Sequence, residues 1–146
     1  MCVLHVGSET KSFSEFLKTT TLPVYATHEK GSIRHPRRQV LWDDYGFSCD
    51  FSEKDWSDLD GQIEDACAFL RRHGNEFRRL RDMYPENEAM IWIDFPYYCR
   101  LGERVVAQSD YLPPEFLQLV GNLGIGVEMT LYQSPQEESQ DNSAGS

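Results

Sequence analysis

No run of about 18 apolar residues occurs in this chain of 146 residues, so no segment reads as a membrane-spanning helix. Paired cysteines are also missing. Cys2, Cys49, Cys67 and Cys99 are spread singly, with no Cys-x-x-Cys. A zinc site draws its ligands in local pairs, so this spacing leaves four reduced, buried, small apolar side chains. Positive charge is scarce: 14 Lys plus Arg against 24 Asp plus Glu leave a net charge of −10. A general nucleic-acid binder carries a basic surplus, so this balance argues against one and for a basic partner.

The motifs of catalysis are absent too. His5, His28, His35 and His73 include no two at metal-ligand spacing, and there is no Gly-x-Ser-x-Gly elbow to present a nucleophile. The glycine-rich stretch Gly121-Asn122-Leu123-Gly124-Ile125-Gly126 follows a helix and precedes a strand. That is the reverse of a dinucleotide or phosphate loop, and it suits a helix cap and turn. The expectation is a non-enzymatic protein with no catalytic, cofactor or metal residue. The opening Met1-Cys2-Val3-Leu4-His5-Val6-Gly7 has no basic leader before an apolar segment. It reads as a strand beginning at once in a cytoplasmic protein.

What is present is a mixture of strand and helix signals. Alternation marks strands at Cys2–Val6, Tyr45–Phe51, Ala89–Phe95 and Gly126–Tyr132, with a weaker one at Leu101–Ala107. Leu22–His28 reads as extended. Lys30 to Arg38 reads as a basic loop or irregular hairpin. A helical stripe runs through Leu59, Ile63, Ala66, Cys67 and Leu70 behind Asp58 or Asp60 as cap, and resumes at Phe77, Leu80 and Tyr84. Gly74-Asn75 predicts a break between the two pieces. Pro113-Pro114-Glu115 opens another helix, which Gly124 closes. Strands and helices do not alternate regularly. The predicted fold is therefore α+β, a mainly antiparallel sheet with helices packed on one face. It forms a single domain over residues 1–132, followed by a disordered acidic and polar tail over 133–146.

Charge patterning supplies the functional signal. Between Asp43 and Asp65 there are nine acids and one base, Lys54, interleaved with Trp42, Tyr45, Phe47, Phe51 and Trp56. Such a stretch is either a solvated face with helix-capping acids or a docking surface where carboxylates steer and aromatics anchor. The docking reading assigns partner binding to Trp42, Asp43, Asp44, Tyr45, Asp55, Trp56 and Asp58. Arg71, Arg72, His73, Arg78, Arg79 and Arg81 form the opposite patch, read as a solvated face that pairs with nearby acids, with RNA or phosphate binding as the alternative. Asp94, alternating with Ile93 and Phe95, lies on a face that is partly solvated or else lines a pocket.

Three stretches resemble a bacterial family of small proteins of unknown function. One is the acid-capped helix from Asp58 to Arg81. Another is the run Leu112-Pro113-Pro114-Glu115-Phe116 through Leu123-Gly124-Ile125 to Leu131-Tyr132, and the third feature is Trp42 upstream of the long helix. The first 40 residues depart from the pattern. In size, charge and class such proteins resemble the immunity proteins that neutralise bacterial toxins. The resemblance implies an inhibitor that blocks a basic toxin, such as a nuclease, by binding it. The charge balance argues against nucleic acid as partner, and the lack of a long apolar run against a membrane. The alternative expectation is a small-molecule or peptide sensor with a cleft between sheet and helices near Asp94, Tyr97, Tyr98 and Arg100.

Overall fold

In a computed structural model, which describes residues 1–135, the alternating segments form one five-stranded sheet. The chain runs β1 (Cys2–Ser8), α1 (Ser14–Leu17), β2 (Val24–His28), β3 (Ile33–His35), β4 (Val40–Leu41) and β5 (Tyr45–Ser52). It continues through α2 (Leu59–Arg72), α3 (Gly74–Met83), β6 (Met90–Tyr98), α4 (Pro114–Asn122) and β7 (Gly126–Tyr132). The sheet order is β2-β5-β1-β6-β7. Every neighbouring pair is antiparallel except β6 and β7, which are parallel and joined through α4. The expected α+β class and mainly antiparallel sheet are thus observed. Strands β3 and β4 make a separate small hairpin from the basic stretch.

Period two decides which side chains meet the helices. Leu4, Val6, Phe47, Cys49, Ile91, Ile93 and Phe95 point inward and are buried. They share a core with Phe13 and Phe16, with Ile63, Ala66 and Leu70 of α2, with Phe77 and Leu80 of α3, and with Phe116 and Val120 of α4. Each such side chain contributes roughly 1.5–3 kcal/mol by leaving water, and edge-on ring pairs such as Phe95–Phe116, 5.5 Å apart, add to this. Asp58 caps α2 by accepting from the Gly61 amide at 2.9 Å. The long stripe breaks at His73, one residue before the expected glycine, and Phe69–Phe77 packing carries it across the break.

The basic patch is less uniformly solvated than the sequence suggested. Arg78 is exposed and donates to Asn75, and Arg71 pairs with Glu115. Arg81, half-buried, donates to the carbonyls of Ala89, Leu123 and Gly124. It ties α3 to the turn where Gly124 takes a positive φ of 64°, a conformation that favours glycine.

Leu101–Ala107 is not a strand, contrary to expectation. The segment between β6 and α4 is irregular, and Val106 is 92% exposed. β6 is paired on both sides, with β1 and β7, and the segment joins neither edge strand, β2 or β7. The expected tail lies outside the described residues beyond 135. Burial pushes the Cys2 and Cys49 thiols up to about 11 and about 12, which keeps both protonated at neutral pH.

Candidate functional site

The residues that alternate out of the core form a second surface. Val3 and His5 of β1 stand between Asp50 and Ser48 of β5 on one side and Asp94 and Trp92 of β6 on the other. Asp94 in turn lies beside Glu128 of β7. These side chains remain half-buried or exposed, whereas the inward neighbours on β1 and β6 are buried. The helices pack on the inward face and leave this one open. No strand of the five-stranded sheet contains a lysine or arginine, and its three acids, Asp50, Asp94 and Glu128, all stand on the open face. The arginines of α2 and α3 belong to the helical layer. That layer also carries Asp60, Glu64, Asp65, Glu76, Asp82 and Glu115, so the helices are of mixed charge while the open-face strands carry acids alone.

The open face is ordered by side-chain contacts. His5 stacks on Trp92 at 5.0 Å, and its Nδ1 lies 3.0 Å from Ser48 Oγ. Burial holds the His5 imidazole below its ordinary value, against the pull of Asp94 and Glu128. Thr130 Oγ1 donates to Asp94 Oδ1 at 2.7 Å. Asp94 is thus partly solvated and tied to a threonine.

At the β5 N-terminal end, a stack rises from the sheet. Gly46 is its floor, because the His28 ring occupies the space a side chain would need. Trp42 lies on His28 with ring centres 3.6 Å apart, and the Arg34 guanidinium lies 4.6 Å from the Trp42 ring centre. Asp44 Oδ1 meets His28 Nε2 at 2.7 Å. At the other end of β5, Trp56 stacks on Tyr132 at 4.6 Å and leans on Tyr98 at 5.6 Å. Trp56 and Tyr98 border a cleft of about 630 Å³ that also includes Asp55 and Arg100.

The seven residues assigned to partner binding therefore do not form one patch. Trp42, Asp43 and Asp44 flank one end of the open face, and Asp55, Trp56 and Asp58 lie past its other end, with the eight residues of β5 between them. Asp43 is exposed. Asp55 accepts from the Ser57 hydroxyl and amide, which hold its carboxyl below the usual range, and Asp58 is occupied as the α2 cap. Tyr45 points the other way, toward the core, because it shares the inward face of β5 with Phe47 and Cys49. Of the four residues of the expected cleft, Tyr98 and Arg100 share the cavity beside Trp56. Asp94 is on the open face, and Tyr97 packs toward the core.

Two histidine pairs resemble parts of catalytic machinery. Ser48 and His5 are at hydrogen-bond distance, yet among the described residues no carboxylate bonds the other imidazole nitrogen, and neither residue lines one of the cavities described here. His28–Asp44 has no hydroxyl or thiol bonded to the imidazole among the described residues. No group of three or more His, Cys, Asp or Glu suited to holding a metal occurs among the described residues. Sequence reasoning missed His5, His28 and the Gly46 floor. Their partners are 16 to 43 residues away, so only the strand register reveals them. Against known proteins, no family model, no curated protein and no solved structure matches this chain.

Proposed function

We propose that the protein is a non-enzymatic binding module that docks a basic protein on the open face of its sheet, acting as an immunity-type inhibitor of a basic toxin. One observation carries this reading: a five-stranded sheet without a lysine or arginine turns its three acids, Asp50, Asp94 and Glu128, onto a face no helix covers. Indole rings at Trp92, Trp42 and Trp56 stand on or beside it. Carboxylates steer a cationic partner, and desolvated aromatic rings hold it. The same charge repels a nucleic-acid backbone. Inhibition needs no turnover, only occlusion of the toxin's own basic site. The resemblance to immunity proteins supplies the toxin as the class of partner.

A second reading rests on the cleft beside Trp56, Tyr98 and Arg100, whose volume suits a small molecule or short peptide. A ligand there would raise the melting temperature in a metabolite screen, with no effect of the open-face acids.

Capture from the native host at low salt tests the docking reading. The expected result is one stoichiometric basic protein, released by 0.5 M salt (about a 4 Å Debye length on the inverse-square-root trend). The triple variant Asp50→Asn, Asp94→Asn, Glu128→Gln is expected to lose it. Undiminished capture by a folded triple variant would overturn the assignment of this face.

A further inference from the structure

We propose that the slot between the Asp44 carboxylate and the Trp92 indole, floored by Gly7, is a socket for one guanidinium or alkylammonium group, supplied by an arginine or lysine of the docked partner. The inference rests on the docking reading above and gives it an anchor point. A Cβ at position 7 would stand 3.5 Å from Asp44 Oδ2 and 3.6 Å from Trp92 Cζ3. The glycine thus leaves a gap that a carboxylate oxygen and an aromatic ring both reach at contact distance. A cation placed there meets a charge-assisted acceptor and a ring π-system together.

Both walls are fixed in advance. His28 holds Asp44 Oδ1 at 2.7 Å, while no donor among the described residues bonds Oδ2. His5, bonded to Ser48, backs the Trp92 ring. The partner therefore meets groups whose ordering cost has already been met in folding. The cavity around the slot measures about 310 Å³. That is at the lower limit of ligand cavities, roughly 300–1,000 Å³, and suits a side chain better than a nucleotide. Ser8 in its wall donates its hydroxyl to the Glu88 carbonyl and accepts the Thr10 and Lys11 amides, so it offers no nucleophile. Lys11 neutralises Glu88 at the rim, at 3.2 Å. Glu9 and Glu86 add carboxylates to the cavity lining, and Asp44 Oδ2 is the carboxylate oxygen at the Gly7 slot itself.

The test is a titration of the isotope-labelled full chain, followed at the Gly7 amide and the Trp92 indole N–H. The probes are acetyl-arginine methylamide, its neutral citrulline counterpart, and spermidine. Both signals are expected to shift and saturate with the arginine compound in the millimolar range and to ignore citrulline. Asp44→Asn weakens that binding about tenfold, the loss of one hydrogen bond to a charged group. Gly7→Ala, whose added carbon makes only ordinary contacts, abolishes it while leaving the remaining spectrum in place. An equal response to citrulline, or none to arginine, overturns the socket. Tighter binding of spermidine than of the arginine compound also overturns it, by assigning the slot to a free polyamine. If the socket fails while low-salt capture survives, the docking reading stands without it. If arginine binds but capture fails, the partner is removed as the source of the cation.

Discussion

Two missing side chains shape the open face more than any residue that is present. At Gly7 the absence leaves a gap beside Asp44 and Trp92. At Gly46 it admits the His28 ring, on which Trp42 and then Arg34 are layered. A Cβ at position 46 would overlap that ring and come within 2.8 Å of the Val6 carbonyl oxygen. The ring can swing away, but the carbonyl belongs to the β1 ladder and cannot. Gly46→Ala is therefore expected to lower unfolding free energy by about 1–3 kcal/mol, the usual cost of overpacking. The measurement is the urea midpoint at unchanged slope, and a midpoint equal to wild type would show that His28 does not need the space. None of this is legible in the chain alone. Gly46 reads as one more position in an alternating strand, and nothing local ties it to a histidine 18 residues earlier.

The elements themselves were legible where one physical signal dominated. The alternation at Tyr45–Phe51 and Ala89–Phe95, the acid cap at Asp58 and the closing glycine at position 124 each gave the right element to within a few residues. The segment Leu101–Ala107 failed because apolar content was taken for strand pairing. A strand needs a hydrogen-bonded neighbour, and this segment pairs with neither β6 nor an edge strand. The site was legible only in part. Composition located acids and aromatics around β5, but the eight-residue strand between them separates Trp42 and Asp44 from Trp56 and Asp58. The parity of β5 turns Tyr45 inward. The face that joins the two ends comes from β1, β6 and β7, whose register with β5 depends on contacts across at least 34 residues.

Across the whole molecule, two histidines tie stability to pH. Burial holds the His5 and His73 imidazoles below their ordinary value; Asp94 and Glu128 oppose this at His5, and Arg72 reinforces it at His73 against Glu76. As pH falls through about 6.5, the unfolded chain takes up these protons while the folded rings stay neutral. Stability declines over that window and levels off once the folded rings protonate. Above neutral pH these two groups contribute no slope. Further into acid a second loss follows from Glu76. Burial pushes its carboxyl up, but Arg79 and Thr20 outweigh burial and hold it low, so its contribution is lost as pH falls through the folded value. Urea midpoints are expected to be lower at pH 5 than at pH 7, and His5→Gln with His73→Gln should flatten that difference. A difference unchanged in the double variant would place the effect elsewhere.

The most direct test of the docking reading is to map where the captured basic protein sits, by hydrogen exchange of the full chain alone and in the complex. Protection is expected over β1, β6, β7 and the Trp42–Asp44 stretch, with the exchange of α2 and α3 unchanged. Protection confined to the helical layer, around Arg71 to Arg81, would contradict the account by placing the partner on the opposite side of the molecule.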